Sequence, residues 1–323
     1  MTVIKTKSRG RKDTGVNVRT MLKSVFRDRS LLLLALPGAM LLFLFSYLPL
    51  AGILIAFKDF KFGPGIFGSE WQKPIYYNFI YLFTSSGTLR ATVNTLFLNC
   101  IFILSGVLAA VTFALLLNEI VSVRYRKLVQ SFSFLPYFMS WIVVSVFVYG
   151  IFSEQGGALN GLIVSLGGKR IDWYTTPEYW PAILLSVTLW KFVGYNAVIY
   201  LATITGIDPT VFEAAQIDGA NRMQQATHIT LPLLLPTMTI LVLLQVGRIM
   251  NADFGMFYGI IGDNSLLYPT TDVLDTFIYR NLRKLGDIGM SSAAGLFQSV
   301  ISFTLLLVCN GLARKMQGAS SLF

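Results

Sequence analysis

Apolar residues gather into six long runs along the chain, near 31–57, 91–118, 128–152, 182–205, 231–250 and 291–313. Each is roughly 20 residues or longer, enough to carry a helix across about 30 Å of hydrocarbon. Ahead of the first run lies a polar segment over 1–30 that holds Lys5, Lys7, Arg9, Arg11, Lys12, Arg19, Lys23, Arg27 and Arg29. The pattern predicts an all-α polytopic membrane protein with six transmembrane helices over 31–323. The end of the basic segment suits an amphipathic helix lying on the membrane surface. The run beginning at Leu31 is too long for a signal-peptide core and lacks a clear small-residue cleavage site, so it reads as a retained first span.

Basic flanks orient the spans. The segment 1–30, the loop with Arg124, Arg126 and Lys127, and the end with Arg314 and Lys315 are expected in the cytoplasm by the positive-inside rule. Alternation then puts the loop 206–230 in the cytoplasm and the longer loops 58–90, 153–181 and 251–290 outside. Those outer loops carry Trp71, Tyr76, Tyr77, Tyr81, Trp173, Tyr174, Tyr179 and Trp180, residue types suited to a membrane interface.

Composition narrows the class further. Apolar residues make up 54% of the chain and charged residues 13%, against about a quarter charged in soluble domains. The net charge of +10 is concentrated beside the first span, which points to a lipid surface and not to nucleic acid. The two cysteines, Cys100 and Cys309, each sit within an apolar run, a placement that argues against a disulfide framework or a metal cluster.

The stretch "EAAQIDGANRMQQATHITLPLLLP", from Glu213 to Pro236, is polar in front and apolar behind. Asp208-Pro209 reads as a helix start, an Asp N-cap followed by Pro at the first helical position. Two turns follow through Ile217, Gly219 permits a sharp bend, and Asn221 restarts a short helix ahead of the fifth span. Pro232 fits a first turn, and Pro236 kinks the span or fixes its entry. Ala214, Ala215 and Ala220 let another surface approach the backbone, while Glu213 and Asp218 offer charge to a basic partner. A surface-lying helix would need Lys or Arg along its polar side, and this loop is poor in both. Docking of a protein is therefore expected.

Glu213-Ala214-Ala215, Asp218-Gly219-Ala220, Ile229-Thr230-Leu231-Pro232 and Pro236 together resemble, without a gap, the EAA loop of the transmembrane subunits of bacterial ABC importers that work with a binding protein. The resemblance covers about 70–323 and implies a type I ABC importer permease fold, with spans two to six as its five-helix core. Where that family usually has aromatic residues ahead of Ile229, this chain has Met223 and Ala226. The basic tail, the first span and Phe57–Phe60 resemble the MalF- and LplB-like branch, which imports oligosaccharides or polysaccharide fragments and includes the permease of an alginate importer. What the resemblance implies is a permease subunit forming half of a translocation path in the bacterial cytoplasmic (inner) membrane, with both termini cytoplasmic. Glu213, Ala214, Ala215, Asp218, Gly219 and Ala220 would dock on a cytoplasmic ABC ATPase present in two copies, Glu213 pairing with a basic residue there. ATP and Mg would be held by that partner, with no cofactor on this chain. The other implied partners are an extracellular or periplasmic solute-binding protein and a second related permease forming a heterodimer, a homodimer being the alternative.

Two cations lie inside apolar runs. Lys191, Tyr195 and Asn196 are spaced to share a helix face, and Gln245, Arg248 and Asn251 broadly share another. Both faces are candidates for a polar substrate path, since a charge within hydrocarbon usually faces a cavity or a partner, and a uronate carboxylate would favour both cations. The alternatives are that Lys191 snorkels to an interface and that Arg248 pairs with Asp253 at the outer rim. His228, the single histidine, reads as a packing or interfacial residue, and Gly157 to Gly161 as a turn. The chain has no GxxxxGK[ST] stretch, so it lacks a phosphate-cradling loop of that kind and is expected to be no enzyme. A secondary transporter driven by an ion gradient is the competing class. It would favour internal repeats and acids well inside the spans, and neither is evident.

Overall fold

A helix that is apolar on every side can be satisfied only by hydrocarbon or by protein packed all round it. In the computed structural model, which describes residues 29–317 of the 323-residue chain, five helices are long and apolar enough to cross a membrane, and a sharply bent helix pair makes a sixth. The expected basic segment, with its surface helix, lies outside the described residues through residue 28. Among the described residues no strand forms; one isolated antiparallel bridge joins Lys58 and Trp71.

The chain divides into two compact units, Met1–Leu54 and Ile55–Phe323. In the first, α1 (Arg29–Leu42) continues through a wide π turn at Phe43–Tyr47 into the tighter helix Leu48–Phe57. Its side chains from Leu32 to Leu50 are exposed and mostly apolar, Leu34 at 81% among them, a surface suited to lipid.

The second unit is built on a pair of long helices. After α2 (Tyr77–Thr84), α3 (Ser86–Glu119) runs for 34 residues. It packs along α7 (Trp180–Thr205) more extensively than any other two described helices pack. Ala110 and Ala114 of α3 and Ala197 of α7 are wholly buried in this seam. Lipid tails are as apolar as leucine, so helices in a membrane gain little from burying large apolar groups together. Close approach over small residues takes that role.

The third span departs from the expected single helix over 128–152. α4 (Val123–Phe134) passes into a 3-10 turn, Leu135–Phe138, and α5 (Trp141–Phe152) then leaves at 100°. Pro136 lacks an amide donor and crowds the preceding turn, and Ser140 caps the new helix by accepting from the Val143 amide. α7 lies directly on this break. A Cβ placed on Gly194 would sit 2.0 Å from the Ser133 carbonyl oxygen, so the two backbones touch there.

The glycine pair expected as a turn instead straddles the start of α6 (Ala158–Ser165), with Gly157 as its N-cap. Trp180, expected at a membrane interface, is wholly buried and donates to the Trp173 carbonyl at 2.7 Å.

α8 (Pro209–Ile217) lies in the loop after α7. The next helix corrects the expectation of a second short helix separate from the fifth span. α9 (Arg222–Gln225), a π turn at Ala226–Thr230 and α10 (Leu231–Val246) form one continuous helix of 25 residues. The wide turn lies just before Pro232, where a proline ring would otherwise crowd the carbonyl four residues back. The chain then unwinds before α11 (Phe254–Ile261), α12 (Leu274–Arg280) and the last long helix, α13 (Ile288–Gln317). Arg280 makes a buried two-oxygen contact with Asp272 at 2.8 and 2.7 Å and lies over the Tyr268 ring.

Gly194→Ala should lower the melting temperature of the detergent-solubilised protein. The added methyl meets backbone, which cannot rotate away, and overpacking of this kind costs about 1–3 kcal/mol. An unchanged melting curve would show that α4 and α7 separate without cost.

Candidate functional site

The unwound stretch after α10 sets the geometry of the site. The Arg248, Ile249 and Asn251 amides stay in turn hydrogen bonds to backbone carbonyls, and side chains from neighbouring helices meet other backbone groups of the stretch. Asn99 of α3 donates to the carbonyls of Ile249 at 2.8 Å and Asn251 at 3.4 Å. Gln298 of α13 donates to the Met250 carbonyl at 2.9 Å, and Ser302 accepts from the Met250 amide at 3.3 Å. Asp275 of α12 accepts from the Ala252 amide at 2.8 Å and from Gln298 at 3.2 Å. Burial raises the Asp275 carboxyl above its ordinary value, and these donors act against that rise. Open backbone inside a membrane protein is tolerated only where protein or a wet cavity satisfies it. Here side chains do so, which frees Arg248 and Asn251 to face outward.

Both line a cavity of about 650 Å³ bordered by α3, α7, α10 and the unwound stretch. Tyr195 and Asn196 line it from α7, and Gln245 from the end of α10. Five of the six expected path residues thus share one cavity. Its aromatic wall contains Tyr137, Trp141 and Phe192. Tyr137 stacks on Tyr195 with ring centres 4.0 Å apart and planes 6° from parallel.

Lys191 is the exception. It is buried, neither lining the cavity nor snorkelling, and its ammonium donates to the carbonyls of Pro136 at 3.2 Å, Tyr137 at 3.1 Å and Met139. The expected face Lys191–Tyr195–Asn196 therefore splits. The Tyr195 ring and the Asn196 amide line the cavity, while the long lysine stem reaches sideways to the broken span. The alternative for Arg248 also fails. Asp253 accepts from the Trp141 indole nitrogen at 2.7 Å and caps α11 through the Met256 amide, and Arg248 makes no ion pair among the described residues.

Asn99, Tyr137 and Trp141 were not singled out in the sequence, and Asp253 only as an ion-pair partner for Arg248. Asn99 has a visible signal, an amide inside an apolar run. Tyr137 and Trp141 become wall residues only because the third span breaks between them, and Pro136 with Ser140 is the local sign of that break.

The loop 206–230 presents a second surface. Asp208 accepts from the Thr210 amide at 3.0 Å and starts α8; this hydrogen bond holds its carboxyl below the ordinary value. The helix ends with the Ala220 amide donating to the Ala215 carbonyl at 2.8 Å and with Gly219 at φ +81°, the left-handed closure that glycine adopts most readily. Asn221 and Gln224 then exchange side-chain and backbone hydrogen bonds at 2.9 and 2.8 Å, a capping box that opens α9. Glu213, Ala214, Asp218 and Gly219 are exposed, while Ala215 and Ala220 are half-buried. Two further apolar residues, Ile217 and Met223, are 87% and 73% exposed; sequence reasoning assigns Ile217 no role and names Met223 only as a departure from the family's aromatic residues. Arg222 ties this loop to the end of α3 through Glu119 at 2.8 Å.

Comparison with known proteins places these features in a family. The model of the "Binding-protein-dependent transport system inner membrane component" matches residues 103–318. The polygalacturonan/rhamnogalacturonan transport system permease protein YteP of Bacillus subtilis (strain 168) is 33% identical over 297 residues, 92% of this chain and 91% of that protein. Protein LplB of the same organism is 34% identical over 289 residues, 90% of each chain. A chain in the crystal structure of a bacterial alginate ABC transporter, in complex with an alginate pentasaccharide-bound periplasmic protein, superposes with a TM-score of 0.83 at 32% identity. That match covers 92% of this chain and 98% of the other. The broken spans, the side-chain-capped cavity and the exposed loop therefore belong to a multi-pass inner-membrane permease of type I ABC importer fold, and this chain is a member of the binding-protein-dependent transport system inner membrane component family.

Proposed function

We propose that this chain forms half of the translocation path for an acidic oligosaccharide, delivered by an extracellular or periplasmic binding protein. The observation that carries this reading is Arg248: a guanidinium without an ion-pair partner among the described residues, on a cavity shared with Gln245, Asn251, Asn196 and an aromatic wall. Hydroxyl-rich rings need dispersed amides and an aromatic face, and a uronate carboxylate needs a cation. The relative named for polygalacturonan and the solved alginate importer support an acidic polymer fragment as the substrate class.

The loop 206–230 couples this path to a separate cytoplasmic ATPase present in two copies, which holds ATP and Mg. Glu213 and Asp218 meet basic groups there. Ala214, Ala215, Gly219 and Ala220 permit close approach, and Ile217 and Met223 supply apolar contact. One copy of the chain offers one such loop, so a second related permease completes a pseudo-symmetric heterodimer. Both termini then lie in the cytoplasm.

Arg248→Gln keeps hydrogen-bonding ability and removes the charge. Uptake of a uronate oligosaccharide by the reconstituted complex should fall roughly 10- to 150-fold, the equivalent of a charge-assisted hydrogen bond of about 1.5–3 kcal/mol. Uptake of a neutral sugar of equal length should fall far less; equal losses would mean that Arg248 is structural.

Glu213→Ala and Gly219→Pro should each lower substrate-stimulated ATP hydrolysis while the protein still inserts. The first removes the charge offered to the ATPase, and the second imposes a φ near −65° where the bend needs +81°. Normal stimulation in both variants would remove the docking role. Purification of an active complex whose only membrane chain is this one would refute the heterodimer.

A further inference from the structure

Lys191 stands halfway along the span Pro177–Thr205 and is 4% exposed. A buried ammonium needs compensation for lost water, usually a carboxylate. Here no carboxylate lies within ion-pairing distance among the described residues. The ammonium has three N–H groups, and it donates to three carbonyls, those of Pro136, Tyr137 and Met139. These lie at the broken end of the α4 segment, where a helix terminus leaves carbonyls short of amide partners; among them the Pro136 carbonyl also accepts from the Met139 amide at 3.1 Å. Donor and acceptor numbers match at the one point where the third span turns through 100°.

The same side chain reaches the cavity wall. Its ammonium lies 5.0 Å from the centre of the Trp141 ring. Trp141 is also held at its edge by Asp253 at 2.7 Å. The backbone at Gly255 crowds it as well, since a Cβ there would fall 2.7 Å from the indole. On the other side of the break, Tyr137 offers its carbonyl to Lys191 and its ring to Tyr195. Lys191 therefore contacts two members of the aromatic wall, Tyr137 through its carbonyl and Trp141 over its ring, without lining the cavity.

We infer that Lys191 is a positioning residue: it fixes the break in the third span and so sets Tyr137 and Trp141 as the stacking wall of the cavity. The link to transport rests on the cavity being the translocation path; the link to wall geometry does not.

The experiment uses the complete reconstituted complex in which Cys100→Ser and Cys309→Ser remove the native thiols and Tyr137→Cys reports on the wall. Adding Lys191→Met keeps a side chain of similar length without the donors. The rate at which a maleimide modifies position 137 should change at least about fivefold. Lys191→Ala should show the same change, and n-propylammonium, which replaces the missing methylenes and ammonium, should reverse it where 1-propanol does not. An unchanged modification rate in Lys191→Met, or equal reversal by the alcohol, overturns the proposal.

A second readout separates the two readings. In the complex with Tyr137 intact, Lys191→Met should raise the apparent KM for oligosaccharide uptake about tenfold or more, and Lys191→Ala should recover with n-propylammonium. A changed modification rate with an unchanged KM would support the positioning role and refute the cavity as the path.

Discussion

A helix broken inside an apolar layer leaves amides and carbonyls that no bulk water can reach, and the whole arrangement of this permease follows from how those groups are met. Two breaks matter. At the third span one lysine from a neighbouring helix satisfies three carbonyls. After the fifth span Asn99, Gln298, Ser302 and Asp275 divide the task among three helices. Each buried group left alone would cost about 1–3 kcal/mol, a large fraction of ordinary folding stability. The capping residues are therefore as much a part of the cavity as the residues that line it.

The long apolar runs made the helical class and most of the spans readable from the chain itself, because hydrocarbon thickness fixes the length of a crossing helix. The loop 206–230 was readable for a different reason. Asp208, Gly219 and Asn221 carry local capping and turn chemistry, and local chemistry survives without knowledge of tertiary neighbours. The break in the third span was not read, since Pro136 inside an apolar run also suits a kinked but continuous helix. Lys191 was misplaced for a related reason. Helical spacing fixes the direction of a Cβ, but a four-carbon stem can turn toward whichever neighbour offers acceptors, and those acceptors exist only once the third span has broken. Neither Ile217 nor Met223 was read as a docking contact, because an exposed apolar residue is ordinary in isolation. They stand out only beside the small and acidic residues of the same loop.

Continuity of the chain links the two functional surfaces. The helix Arg222–Val246 begins at the exposed loop and ends beside Gln245 at the cavity. At about 1.5 Å per residue it spans roughly 37 Å. In the proposed coupling, a displacement of the loop would be carried along this helix to the stretch that holds Arg248, with no intervening loop between them. The π turn at Ala226–Thr230 lies near the loop end, and Pro236, which donates no backbone hydrogen bond, stands inside the apolar shaft beyond it. Arg222 also ties the start of that helix to Glu119 at the end of α3, the helix whose Asn99 caps the unwound stretch. In that coupling, loop movement would reach the cavity through two elements, one leading to Arg248 and the other holding the backbone beside it. A cation placed on unwound backbone can be re-aimed by small changes in its peptide torsions, whereas one on a rigid helix can move only with the helix. Arg248 stands where the shaft ends and the capped backbone begins, so in the proposed coupling a motion of the loop would act on its direction.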